Sequence, residues 1–134
     1  MKVSPATEIT AQPVTMEGAS GCRVRWLVDD KDGAPNFAMR QFEVEPSGHT
    51  PRHSHPYEHE IYVLEGEGVV IEGERERPLK AGDCVYVAPD EIHQFRNTGE
   101  AALKFLCMVP HIPPGTPVTT LPECAVTGSM DKSN

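Results

Sequence analysis

Apolar side chains recur at every second position through much of the chain. In Phe37–Glu45, Ala38, Arg40, Phe42 and Val44 fall on one face, with Phe37, Met39, Gln41 and Glu43 on the other. Successive strand residues point to opposite faces, so this period of two predicts a β-strand. A rougher alternation marks Cys22–Val28, which closes at the turn-forming run Asp29-Asp30-Lys31-Asp32-Gly33. Further short runs follow at Glu60–Leu64, Gly68–Ile71, Arg77–Lys80, Cys84–Val87, Gln94–Asn97 and Leu103–Val109, each bounded by Gly, Pro or charged turn residues. Pro46-Ser47-Gly48 is read as the break that ends the second run. Helical periodicity is scarce throughout. Short strands at such spacing predict an all-β sandwich or barrel.

The ends read differently. Residues 1–20 mix polar residues with Ser, Thr, Pro and Gly and form an N-terminal arm, leaving 21–110 as the barrel domain. From Pro110 onward five prolines (Pro110, Pro113, Pro114, Pro117, Pro122) forbid a sheet interior or a long helix. Residues 111–134 are therefore expected to form an extended strap and a flexible tail, with Thr127–Asn134 disordered.

Composition sharpens this picture. The chain of 134 residues suits one domain, and 11 Gly with 13 Pro suit many turns rather than a helical bundle. A net charge of −8 argues against gripping nucleic acid or anionic membranes, both of which need excess positive charge. No apolar run is long enough to cross a bilayer or to serve as a secretory signal, so a soluble cytoplasmic protein is expected. The four cysteines (Cys22, Cys84, Cys107, Cys124) form no C-x-x-C motif, so neither a zinc ribbon nor a redox pair is indicated.

The chemistry lies in the histidines. His53, His55 and His59 fall within seven residues, and His93 opens a later strand after the turn Pro89-Asp90-Glu91. Residues i and i+2 of an extended chain point the same way, so His53 and His55 can reach one metal, with His59 and His93 able to converge on it. A solvated loop is the competing reading for an isolated H-x-H pair. His49 and His111 are expected to face solvent, and Asn97 to close a turn.

These residues carry a resemblance. His53-Ser54-His55 with His59 and Gly66, followed by Gly82-Asp83 through Pro89 to His93 and Asn97, resembles the two motifs of the cupin superfamily. The match has departures: four residues separate Gly48 from His53 where the family form has five, and Gly82 to Pro89 is one longer. Glu91 replaces a usual glycine, His93 comes one residue sooner, and His59 stands where most cupins carry a glutamate. The pattern is similar to small single-domain bacterial cupins with a four-histidine site. The resemblance implies a cupin (double-stranded β-helix, jelly-roll) barrel with His53, His55, His59 and His93 holding one divalent metal per chain. It implies manganese first, then iron, while nitrogen ligands also accept zinc, nickel, cobalt or copper.

Around that centre, Glu60, next to an inward His59, is expected outward, as a rim or supporting carboxylate. Phe95 shares the inward face with His93, leaving Gln94 and Arg96 outward. Arg40 shares a face with Phe42. Turned inward it would favour an anionic substrate, and on an edge strand it would serve a surface ion pair. Cys107 is read as core packing or as a neighbour of the metal, and Trp26 and Tyr62 as core or interface. The functional expectations are a metal-dependent dioxygenase acting on a small molecule inside the barrel, a redox-neutral isomerase or lyase, or a non-catalytic binding module. A homodimer is implied by resemblance. No particular residue is assigned to catalysis.

Overall fold

A computed structural model describes residues 1–123, and their architecture is all-β. Among them lie eleven strands: β1 (Gln12–Pro13), β2 (Ser20–Val28), β3 (Phe37–His49), β4 (His53–Ser54), β5 (His59–Glu65), β6 (Glu67–Glu72), β7 (Arg75–Lys80), β8 (Cys84–Val87), β9 (His93–Asn97), β10 (Leu103–Pro110) and β11 (Thr119–Thr120). They form one sheet ordered β11-β4-β9-β3-β10-β5-β8, with β2 on β3, β1 on β2, β6 on β9 and β7 on β6. This sheet curls into the jelly-roll barrel expected from the sequence, and every pairing is antiparallel.

The expected break at Pro46-Ser47-Gly48 is instead a bend within β3, where Ser47 has a left-handed φ of 69°. The ladder to β2 loses register between Ser20 and Cys22, and past the bend His49 pairs with Arg96 of β9. One strand thus crosses from one half of the barrel to the other, which is how a curled sheet turns a corner. At the β5–β6 connection Gly66 (φ 90°) approaches the backbone so closely that a Cβ would lie 2.5 Å from the Ala102 carbonyl oxygen. No larger residue fits there.

Register sorts the barrel interior into layers. Cys107 stands opposite Arg40 and Ile61, Phe105 opposite Phe42 and Val63, and Leu103 opposite Val44. The last two layers are sealed: Val44, Val63 and Leu103 are fully buried and Phe105 nearly so. Phe42 stacks on Phe105 at 5.3 Å between ring centroids, and Phe95 meets the same ring at 4.8 Å. The apolar core therefore fills one end of the barrel, and the inward residues at the other end are His59, His93 and Arg40.

The expected arm and strap both pack on the barrel. β1 pairs with β2, and Arg25, held at 2.7 Å by Glu43, donates to the carbonyls of Ala6 and Ile9. At the other terminus β11 pairs with β4, and Leu121 N–H donates to the Arg52 carbonyl at 2.8 Å. The expectation of a disordered Thr127–Asn134 lies outside the described residues. No helix among them is long and apolar enough to cross a membrane.

Candidate metal centre

Three short elements bring the histidines together. β4 carries His53, His55 follows directly after its last residue, and His53 stands opposite His93 at the start of β9. His59 opens β5 opposite Val87. One nitrogen from each of His53, His55 and His93 lies within 4.8 Å of the others. His59 stands beside this trio, its ring centroid 4.7 Å from His55 and 5.3 Å from His93.

Hydrogen bonding sets the tautomers. Nδ1 of His55 lies 2.9 Å from the Tyr57 carbonyl oxygen, and Nδ1 of His93 lies 2.8 Å from that of Glu91. A carbonyl can only accept, so each Nδ1 carries the proton and each Nε2 keeps a lone pair. Those two Nε2 atoms and Nδ1 of His53 are buried with no hydrogen-bond partner. Leaving buried polar atoms unsatisfied costs about 1–3 kcal/mol each. A divalent cation held between the three rings would satisfy the unpartnered nitrogens that it binds. Borderline nitrogen donors suit first-row transition metals, so the residues fit such an ion.

Charge favours the same use. Burial, followed by the charges of neighbouring imidazoles and Arg40, lowers His53 to about 3. Burial lowers His55 to about 4 and His59 to about 2, and it lowers His93 against the opposing bond to Glu91. All are neutral near pH 7, the form in which imidazole binds metal.

His59 differs from the others. Its Nδ1 lies 3.5 Å from Nη2 of Arg40, and arginine can only donate. Accepting there would put the His59 proton on Nε2. Ligation through His59 Nε2 therefore requires Arg40 to release Nδ1.

The histidines open onto a cavity of about 300 Å³. His53, His59, His93, Arg40, Phe42 and Cys107 are among its walls, and Phe95 with Phe105 forms its floor. Arg40 is not on an edge strand: β3 lies between β2 and β10, and its guanidinium turns inward, so the surface-pair reading is corrected. Cys107 is both core and wall, its thiol raised by burial. Trp26 is neither buried core nor turned away; it lines the cavity with its ring over Arg40 at 5.4 Å. Tyr62 is no core residue either, being half exposed on the outer face.

Glu60 points outward, between Tyr86 and Met108, as its neighbour position required. The hydrogen-bonded Glu58 carboxyl, with burial, raises it to about 7. Asn97 closes the β9–β10 turn through Ala101 and Gly99. His111 is exposed, whereas His49 is half-buried against Gln94. Gln94 was expected outward and does face away from the cavity, yet it is wholly buried because Glu123 of the strap covers it at 3.0 Å. Sequence reasoning missed the cavity walls Gln12–Met16, Thr50 and Pro51. Only the pairing of the arm with β2 brings Gln12–Met16 there, and no local pattern announces it.

Comparison with known proteins agrees with this fold. The family model described as a cupin domain matches residues 40–109. A relative from Thermotoga maritima named oxalate-binding protein is 32% identical over 108 residues, covering 78% of this chain and 89% of its own. The 1-methylthio-D-xylulose 5-phosphate methylsulfurylase of Rhodospirillum rubrum is 37% identical over 71 residues, which cover 53% of this chain and 46% of that one. Among solved structures, the polyketide cyclase RemF from Streptomyces resistomycificus superposes with a TM-score of 0.84 at 35% identity, covering 92% of this chain and 89% of its own.

Proposed function

The chain belongs to the cupin domain family, and from that premise we propose a metal-binding cupin that carries out redox-neutral chemistry on a small, oxygen-rich molecule. The observation that carries the reading is the convergence of His53, His55 and His93, each of which has a buried, unpartnered ring nitrogen. We propose His53, His55 and His93 as metal ligands, with His59 as the fourth once Arg40 releases it. When bound, a divalent metal supplies Lewis acidity to a ligand oxygen.

The chain's own residues supply the rest. The carbonyls of Tyr57 and Glu91 hold His55 and His93 in the ligating tautomer. Phe42, Phe95 and Phe105 keep the cavity floor dry. Among the described residues its walls offer no carboxylate, and their titratable groups are His53, His59, His93, Arg40 and Cys107.

The names of the polyketide cyclase and the oxalate-binding relative favour a redox-neutral or binding role over the dioxygenase reading. The same site would serve oxygen chemistry with manganese or iron, which is why the test includes oxygen. Elemental analysis of protein purified without an affinity tag should give about one transition metal per chain, and His55→Ala and His93→Ala should each abolish it. Retention of metal in both variants would refute the assignment. Substrate screening with and without oxygen then separates the classes: anaerobic turnover supports the redox-neutral reading, oxygen uptake the dioxygenase, and binding without turnover a binding module.

A further inference from the structure

Arg40 has a positive charge and, among the described residues, no acid to meet it. Its Nη2 donates to the Cys107 sulfur at 3.1 Å and reaches His59 Nδ1 at 3.5 Å. Its Nε is buried with no partner. Its guanidinium carbon sits 4.9 Å from the Phe42 ring and 5.4 Å from that of Trp26. No Asp or Glu lines the cavity, and no ion pair among the described residues involves Arg40.

Desolvating a guanidinium against aromatic faces and a thiol is costly unless an anion completes it. The planar fork of arginine matches a carboxylate with two parallel hydrogen bonds. The aromatic faces hold the fork in plane, and the thiol is a weak acceptor that yields to a carboxylate oxygen. A cavity of about 300 Å³ limits the guest to a small molecule.

We propose that Arg40 is the anion-recognition residue of the cavity, and that its ligand is a small carboxylate whose carboxyl group sits on the Arg40 fork while a second oxygen faces the histidines. This deepens the metal-site reading, on which the second contact rests. A ligand that takes the Arg40 donors also frees His59 Nδ1, so anion binding and ligation by His59 favour one another.

The test titrates zinc-loaded and metal-stripped protein with malonate and with neutral malonamide, by calorimetry and by fluorescence of Trp26, the one tryptophan. Malonate should bind saturably and shift the Trp26 emission, and malonamide should bind at least about tenfold more weakly, as expected when a charged hydrogen-bond pair is lost. Arg40→Gln should lose about tenfold or more in malonate affinity in both the zinc-loaded and the metal-stripped protein, with Arg40→Lys between the two. Equal affinity for malonate and malonamide, wild-type affinity in Arg40→Gln, or no saturable malonate binding would each overturn the proposal. A wild-type protein that takes up no zinc fails the metal reading instead. The metal-stripped titration still decides Arg40, because its dependence on that side chain is expected there too.

Discussion

His53 stands opposite His93 across the β4–β9 ladder, their ring centroids 4.7 Å apart, and the other edge of His53 pairs with Thr120 of the strap. A strand of two residues thus holds its place only because it is bracketed on both sides. Two hydrogen bonds lock the outer bracket: Leu121 N–H to the Arg52 carbonyl, and Arg52 Nη1 to the Pro122 carbonyl at 3.1 Å. Leu121→Pro removes the first bond and Arg52→Met the second, together with the Arg52 bond to Gly73. Each should cost about 1–3 kcal/mol of stability and weaken metal retention in chelator competition. Wild-type retention in both variants would show that the strap has no part in positioning His53.

His59 and Glu60 give opposite expectations for metal. His59 turns toward the imidazoles, whereas Glu60 points out between Tyr86 and Met108. Glu60→Gln should keep full metal content. His59→Ala should lower metal affinity by about tenfold or more, the loss of one nitrogen ligand. Competition with a fluorescent chelator reads both, and metal loss in Glu60→Gln would bring that carboxylate into contact with the ion.

The barrel was legible in the sequence because alternation fixes which side chains share a face. Phe42, Phe95, Phe105 and Cys107 turn inward as their periods required, and Glu60 turns outward because His59 does not. Arg40 was ambiguous, since alternation gives its face but not whether its strand is central or at an edge. Only the pairing of β3 with both β2 and β10 resolves that. The arm and the strap escaped in the same way. Gln12–Met16 and Thr119–Glu123 owe their places to partners far along the chain, and no local pattern encodes such a partner.

The outer face of the barrel suggests self-association. Leu106 lies opposite Gln41 and Tyr62, and Met108 opposite Met39 and Glu60. Tyr62 and Tyr86 are about half exposed or more. We propose this face as the contact of the homodimer implied by resemblance, since aromatic and Met side chains favour interface cores. Light scattering after size exclusion should give twice the chain mass, and Tyr62→Glu with Tyr86→Glu should return it to the monomer. A monomeric wild-type protein refutes this.

Backbone approach limits Gly68 as it does Gly66. A Cβ on Gly68 would lie 2.2 Å from the Arg96 carbonyl oxygen, so β6 and β9 would have to part. Gly68→Ala should cost more than about 3 kcal/mol, the range of severe core disruption. Gly73→Ala meets nothing within 4 Å and bears only its left-handed φ of 64°, a cost of about 1–2 kcal/mol. Thermal melts of the two variants should therefore separate clearly, and equal losses would contradict the close β6–β9 approach.

Glu43 couples acid stability to the N-terminal arm. Burial raises its carboxyl pKa, but the Arg25 hydrogen bond and charge, with Gln41 and Lys104, outweigh this and hold it below its ordinary value of 4.5. A carboxyl whose folded pKa is depressed stabilises the fold above its unfolded value and loses that contribution as pH falls through the folded one. Denaturant melts should therefore show wild-type stability falling below about pH 4.5, and Glu43→Gln should remove that part of the slope at a cost of about 1 kcal/mol near neutrality. Because Arg25 also holds the carbonyls of Ala6 and Ile9, the same substitution should speed amide exchange in residues 6–16, the segment that continues into the cavity wall. Unchanged exchange there, with the expected loss of stability, would mean that the arm is held by the β1–β2 pairing alone.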